Sequence, residues 1–310
     1  MFSRTLEYIV LDECHKALDR RSGFRDAYPR LSEFMRSHRV PILACSATLN
    51  RKWLRDLNGT FFSGQARCIL DPIIRKHVQT SIKNYAKCKN QGESGYNWET
   101  AASMLAESLI DNITIIFVDF QNDAKQISEL LNEKKIPSNF IVGGHMSAEE
   151  KREASDAFKE GKVRVLVATE TYECGMHNAN CTQVIRIGCP RNLSVMVQEM
   201  GRTGRNNENG VFSVHYNEFF DDQRLANWVK SNSTFRCSID RSDPEIIGII
   251  NDYGTMWRYL YSPLIGMCSH LALSLFFDDP SDDPSEAEIG PMQVAGCRLP
   301  MLYLFWSRIQ

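Results

Sequence analysis

The chain has no C-x-x-C pair, no apolar run long enough to cross a membrane, no excess of charge of either sign and no G-x-x-x-x-G-K-[ST] phosphate loop. Each absence removes a class. The 10 cysteines without paired spacing argue against a disulfide scaffold in a chain of 310 residues, so free thiols in a reducing compartment are expected. Several cysteines close apolar runs, as Cys45 does in Ile42-Leu43-Ala44-Cys45, where a thiol behaves as a small hydrophobe. The most apolar stretch, Pro263 to Phe277, carries Ser269, His270 and Ser274 and is too short for a spanning helix, so no membrane role is expected. The start, Met1-Phe2-Ser3-Arg4-Thr5, lacks the charged-then-apolar pattern of a secretory leader. A net charge of −2 gives no global nucleic-acid signature; a basic binding surface has to be local.

What is present is a chain of two-domain length with 43% hydrophobic residues, enough for buried cores. Tyr8 to Leu11 is a short apolar run that stops at an acidic cluster, as a buried parallel strand stops at a functional edge. Pro29 to Arg39 has helical period, and Val40 to Cys45 is a second buried strand ending in small polar residues, which makes a strand–helix–strand unit. Residues 76–97 are polar and are expected to be a linker. A regular alternation follows. Strands are expected at 114–118, 139–142, 163–168, 183–187 and 210–214, and helices at 101–110, 123–134, 148–159 and 193–200. Five strands alternating with helices predict a doubly wound α/β domain over residues 98–220. Residues 1–75 are then the end of a first domain of the same kind, and 221–310 a divergent region with an acidic, turn-rich stretch at Phe277 to Ser285.

Two clusters carry chemistry. Asp12-Glu13-Cys14-His15 follows a buried strand, and ligands bind at the carboxyl ends of parallel strands. A carboxylate there can hold Mg²⁺ on nucleotide phosphates and a second can activate water; an acidic loop that merely caps the next helix fits the tetrapeptide equally well. Gln198 to Arg205 sets Arg202 and Arg205 three residues apart among glycines. A guanidinium keeps its charge and its planar fork, which suits a developing phosphoryl charge.

In order and spacing these clusters resemble the superfamily 2 helicases. Asp12-Glu13-Cys14-His15 looks like motif II and Ser46-Ala47-Thr48 like motif III, which couples ATP state to domain movement in that family. Thr114 to Val118 stands where motif IV belongs, Ala168-Thr169 with Glu173-Cys174-Gly175-Met176 resembles motif V, and Gln198 to Arg205 matches motif VI. Within that superfamily the chain resembles the RecQ helicases, on Gly23-Phe24-Arg25 with Tyr28 and Leu31, on Gly144-His145-Met146, and on Cys189-Pro190-Arg191 with Ser194. Two departures stand out. The RecQ loop after motif II carries a DNA-sensing Trp, whereas Lys16 to Ser22 has no aromatic residue, and the usual acidic residue of motif V is replaced near Met176-His177-Asn178.

The resemblance implies tandem RecA-like sheets, the first incomplete, that close over ATP. Asp12 is expected to hold Mg²⁺, Glu13 to activate water with His15 beside it, and Gln198, Arg202 and Arg205 to sense the γ-phosphate. Ser46, Ala47 and Thr48 are expected to couple, and Thr169, Gly175 and Arg191 to touch the nucleic-acid backbone. It implies a 3′–5′ DNA helicase acting in repair and recombination, in the nucleus or else the cytoplasm, with DNA favoured over RNA. The alternatives are an inactive nucleic-acid-binding fragment and a DExH RNA helicase fragment. Because Met1 stands 11 residues before Asp12 and the family's phosphate loop lies well upstream, the chain is expected to be part of a longer product and inactive alone. Zinc is not expected, since Cys268 and Cys297 provide only two thiols of the RecQ zinc module.

Overall fold

The computed structural model describes residues 7–17, 31, 33–34, 40–62, 66–69, 75–85, 96–109, 112–144, 146–169, 181–190, 192–205, 208–217, 255–256, 259–260, 262–265 and 267–277. The described residues up to Arg75, with 270–277, make one compact unit, and the others make a second.

In the first unit β1 (Ile9–Leu11) and β2 (Ile42–Ala44) pair in parallel, with Ile9 opposite Ile42 and Val10 opposite Leu43. Both are apolar triplets whose alternate residues share a face. Ile9, Leu11, Ile42 and Ala44 lie with Leu57 and Phe61 of α1 (Arg51–Phe62) in one cluster. Trp53, Leu57 and Phe61 recur every four residues, the stripe a helix needs to cover a sheet. Asn50 starts this helix by accepting the Trp53 N–H at 2.8 Å.

The second unit holds a six-stranded sheet in the order β3-β8-β7-β4-β6-β5, every pair parallel. Its strands are β3 (Val78–Asn84), β4 (Thr114–Phe117), β5 (Ser138–Ile141), β6 (Val165–Ala168), β7 (Gln183–Ile187) and β8 (Gly210–Tyr216). The central strands β4, β6 and β7 are buried at every residue, as parallel strands covered on both faces must be. The helices are α2 (Trp98–Leu109), α3 (Gln121–Glu133), α4 (Ala148–Lys159) and α5 (Leu193–Met200). Ala101, Leu105 and Leu109 of α2 and Ala124, Ile127 and Leu131 of α3 meet Ile116, Val167 and Ile185 of the sheet in one core. The α/β class with a parallel sheet is as expected.

The sheet has one strand more than the five expected. β3 lies inside the stretch taken for a linker, and it pairs with β8 along seven residues. Its sequence, Val78-Gln79-Thr80-Ser81-Ile82-Lys83-Asn84, is polar because β3 is an edge strand, where Gln79 and Lys83 are exposed. Residues 86–95 of that stretch lie outside the described residues. The apolar run ending at Phe277 forms a 3-10 turn, Ser262–Ile265, and then α6 (Ser269–Phe277). Among the described residues no helix is long and apolar enough to cross a membrane.

Candidate functional site

In the first unit β1 runs out into Asp12, and the chain reverses in two residues. Glu13 takes a left-handed conformation (φ 49°), and its N–H donates to Asp12 Oδ1 at 2.8 Å. A side chain other than glycine held there stores strain of about 1–3 kcal/mol, a feature that gathers at functional turns. The reversal brings Cys14 back beside β2. The Cys14 N–H donates to the Cys45 carbonyl at 2.9 Å, and the Cys45 N–H to the Leu11 carbonyl at 2.9 Å.

That reversal joins two sequence clusters. His15 Nδ1 lies 2.8 Å from Ser46 Oγ in a hydrogen bond and 3.3 Å from Glu13 Oε2. The same Ser46 Oγ accepts the Thr48 N–H at 3.2 Å. The His15 ring stacks over Trp53 of α1, 6.2 Å between centroids and 5° from parallel. Asp12, Glu13 and His15 therefore share one end of the small sheet with Ser46, Ala47 and Thr48, all six expected from sequence. Asp12 is exposed, and one exposed carboxylate at a strand end suits Mg²⁺, which takes one or two carboxylates and completes its shell with phosphate and water oxygens. Cys14, between them, is fully buried. Burial, aided by the nearby Cys45 thiol, pushes its thiol up to about 11, so it is packing rather than a nucleophile.

In the second unit α5 starts from Asn192, whose Oδ1 accepts the Val195 N–H at 2.9 Å, and carries Gln198 half-buried. Beyond Met200 the chain folds into a tight loop, Gly201 to Arg205. Arg205 Nε–H donates back to the Gly201 carbonyl at 3.1 Å, and the Thr203 hydroxyl donates to the Cys181 carbonyl at 3.2 Å. His77 Nε2–H donates to the Gly204 carbonyl at 2.8 Å. Gly204 has φ +59°, and a Cβ there would stand 2.9 Å from Val78 Cγ2 and 3.0 Å from the Glu208 carbonyl oxygen, so only glycine fits. The loop is thus pinned from three sides while Arg202 and Arg205 stay half-buried at its rim. Thr169 closes β6, buried, with its N–H donating to the Ile141 carbonyl at 3.2 Å. Gly175 and Arg191 lie outside the described residues.

Two supports of this loop were not read from sequence. His77 falls in the polar stretch taken for a linker. Arg186, in the middle of β7, is wholly buried; it donates to Glu199 Oε1 on α5 at 2.8 Å and is hydrogen-bonded to Asp119 Oδ1, just past β4. The signal was available: a guanidinium inside an apolar strand requires buried carboxylate partners. Among the described residues no group of three or more His, Cys, Asp or Glu could hold a metal ion, and Cys297 lies outside them.

Comparison with known proteins gives two family matches, "DEAD/DEAH box helicase" over residues 2–57 and "Helicase conserved C-terminal domain" over residues 98–207. The chain is 26% identical over 234 residues to DEAD-box ATP-dependent RNA helicase 15 of Arabidopsis thaliana, covering 73% of this chain and 51% of that protein. It is 26% identical over 217 residues to ATP-dependent RNA helicase SUB2 of Kluyveromyces lactis, covering 70% and 48%. The chain spans about half the length of the curated relatives it matches. Its fold is similar to S. cerevisiae Dbp5 bound to RNA and ADP BeF3, with TM-score 0.57, 19% identity, and 81% of this chain and 64% of that chain covered. It is also similar to the Mycobacterium smegmatis helicase Lhr bound to ssDNA and AMP-PNP, with TM-score 0.54, 18% identity, and 81% and 34% covered.

These findings correct the RecQ resemblance. Both relatives are named ATP-dependent RNA helicases, the Arabidopsis one a DEAD-box helicase, and the first family match is the DEAD/DEAH box. The expectation of a DNA helicase of repair and recombination, with DNA as the favoured partner, is overturned with it. The reason lies in the motifs. The carboxylate box, Ser46-Ala47-Thr48 and the arginine loop resemble motifs that the branches of the superfamily share. The stretches used to choose the branch, such as Gly23-Phe24-Arg25 and Cys189-Pro190-Arg191, are three residues each.

Proposed function

We propose that this chain is part of an ATP-dependent RNA helicase of the DEAD-box type. The observation that carries the reading is the contact between the carboxylate turn and the end of β2, His15 Nδ1 to Ser46 Oγ at 2.8 Å, with Glu13 at 3.3 Å from the same nitrogen. An exposed Asp12, a Glu13 held by His15, and a hydroxyl that reports on both form the arrangement a nucleotide motor needs where phosphate state is to be felt by the fold. Mg²⁺ held by Asp12 would neutralise phosphate charge. Glu13, oriented by His15, is the group to accept a proton from water, and Arg202 and Arg205 in the second unit are the groups to meet phosphate charge. RNA is the favoured nucleic acid because the curated relatives are named RNA helicases.

A second reading, a segment that binds nucleic acid without hydrolysing ATP, is favoured by one observation: these 310 residues contain no G-x-x-x-x-G-K-[ST] loop. Hydrolysis of ATP by the purified chain, with and without single-stranded RNA and beside Arg205→Ala, separates the two. RNA-stimulated turnover that Arg205→Ala abolishes supports the motor. A folded chain that binds RNA and turns nothing over supports the second reading. A chain that binds single-stranded DNA more tightly than RNA of the same sequence contradicts the assignment of RNA.

A further inference from the structure

The six-stranded sheet ends in two edge strands, β5 and β3, and the chain treats them differently. β5 is four residues long, and side chains occupy its outer edge. In the register with β6 the backbone groups of Ser138 and Phe140 point away from the sheet. The Ser138 N–H donates to Asn132 Oδ1 at 2.9 Å, and Asn132 Nδ2 donates to the Ser138 carbonyl at 3.1 Å. The Phe140 N–H donates to Asn139 Oδ1 at 2.9 Å. A short edge strand closed in this way offers little to an approaching chain.

β3 is seven residues long, and its outer edge has no such closure. The Gly210 N–H donates to the His77 carbonyl at 3.0 Å, and the Tyr85 N–H donates to the Tyr216 carbonyl at 2.7 Å. With the register along β8 these bonds fix the alternation. Gln79, Ser81 and Lys83 turn their backbone groups toward β8, and Val78, Thr80 and Ile82 turn theirs outward. Among the described residues none of these three outward N–H and C=O pairs has a hydrogen-bond partner. Thr80 does not close its own edge, because its Oγ1 is hydrogen-bonded to Ser269 Oγ at 2.6 Å.

An unpaired strand edge is a template for another strand. The charge along it selects which kind. Lys76 and Lys83 are exposed, and among the described residues neither has a carboxylate partner. Lysines on an edge oppose its pairing with the same edge of a second copy, and they attract a strand that carries carboxylates. A phosphate backbone could meet the lysines, but it has no N–H donors for the outward carbonyls. A peptide backbone supplies both donor and acceptor at the spacing of the strand itself.

We infer that the outer edge of β3 is a docking site for an extended acidic segment of a protein partner, which adds to the six-stranded sheet as a further strand. Main-chain bonds to Val78, Thr80 and Ile82 give the affinity, and carboxylates beside Lys76 and Lys83 give the selectivity. The inference does not rest on the reading of the chain as an RNA helicase.

The test uses the purified full chain and a fluorescein-labelled peptide of about nine residues that alternates glutamate and valine, read by anisotropy. One companion peptide carries lysine for glutamate. Another carries proline for valine, which keeps the charge and removes the strand. Both companions are expected to bind at least about 10-fold more weakly than the acidic peptide. Thr80→Pro removes one outward N–H and breaks no bond to β8, a change that an edge strand tolerates. It should weaken binding at least about 10-fold, whereas Thr80→Val, which keeps the N–H and loses the hydroxyl, should bind as the parent does. Lys83→Glu should weaken binding about 3- to 10-fold. Thermal melting of each variant keeps folding apart from contact, and the proline companion and Lys83→Glu decide the matter should Thr80→Pro melt early. The proposal is overturned if the acidic peptide does not bind, if the proline companion binds as tightly, or if Lys83→Glu or folded Thr80→Pro binds as the parent does. Displacement of the peptide by single-stranded oligoadenylate would assign the lysines to a phosphate chain, and a dimer of the chain that Thr80→Pro dissolves would assign the edge to a second copy. Either result also overturns the proposal.

Discussion

The two parallel sheets differ in what their strands hide. In the six-stranded sheet β4, β6 and β7 are buried residue by residue. In the two-stranded sheet only one face is covered among the described residues. Ile9, Leu11, Ile42 and Ala44 meet α1, while Val10 and Leu43, which face each other across the pair, are 52% and 58% exposed. The two halves of the candidate chemistry therefore rest on different foundations. Arg202 and Arg205 sit at the rim of a closed core and are pinned through Thr203, Gly204 and Glu199. The Asp12–Glu13 turn is pinned mainly by hydrogen bonds to β2 and by the stack on Trp53. A fully buried sheet can bear the cost of a charged side chain inside it, and Arg186 is that side chain.

The largest expected effect breaks the strong side of this comparison. Arg186→Met leaves Glu199 buried without its cation and should cost about 3–5 kcal/mol, read as a lower urea midpoint. Adding Glu199→Leu should return part of the loss, because two apolar side chains pack where an uncompensated carboxylate could not. A loss below about 1 kcal/mol in the single variant would mean that water reaches Glu199 and that the core is not closed there.

What the sequence revealed divides along the same line. The central strands were legible because a parallel strand buried on both faces is an apolar run bounded by turns, as in Thr114 to Phe117 and Gln183 to Ile187. Helix α4 lies at the expected residues 148–159, and the structure shows what fixes its start: Ser147 and Glu150 form a capping box, with the Ser147 N–H donating to Glu150 Oε2 at 2.7 Å. β3 was not legible, since an edge strand with exposed Gln79 and Lys83 reads as loop. The candidate site was half legible. Its motifs name the candidate groups, and Arg186 in an apolar strand signals a need for carboxylates, but the Arg186–Asp119 and His77–Gly204 contacts join residues 67 and 127 apart in sequence, which no local pattern records. The branch of the superfamily was misread because it rested on stretches such as Gly23-Phe24-Arg25 and Cys189-Pro190-Arg191, too short to identify a nucleic acid.

The next effect sharpens the comparison by titration. His215 on β8 is buried, its ring 4.5 Å from Tyr85, and burial first, then the charge of Lys83, pulls its imidazole down to about 3. The fold holds it neutral, whereas the unfolded chain takes up a proton near pH 6.5. Between these values the unfolded state binds the extra proton, so stability rises with pH. This contribution is fully present above about pH 6.5 and is lost as the pH falls toward about 3, with a limiting slope of about 1.4 kcal/mol per pH unit. Urea midpoints followed by hydrogen exchange in β8 between pH 7 and pH 4 should show this slope, and His215→Leu should flatten it. An unchanged slope in that variant would assign the acid sensitivity to other groups.

The smallest expected effect tests the weak side. Leu43→Thr puts a β-branched residue, favoured in strands, at a strand position where the parent side chain is more than half exposed. Little apolar area returns to water, so the urea midpoint should move by no more than about 0.5 kcal/mol. The same volume change at Leu105, buried in the second core, would cost several times as much. Light scattering should fall in the Leu43→Thr sample, because an exposed pair of Val10 and Leu43 on a short parallel sheet is a surface on which chains associate. A cost above about 1 kcal/mol would mean that this face is covered in solution, and the contrast between the two sheets would then lie in what covers each face rather than in whether it is covered.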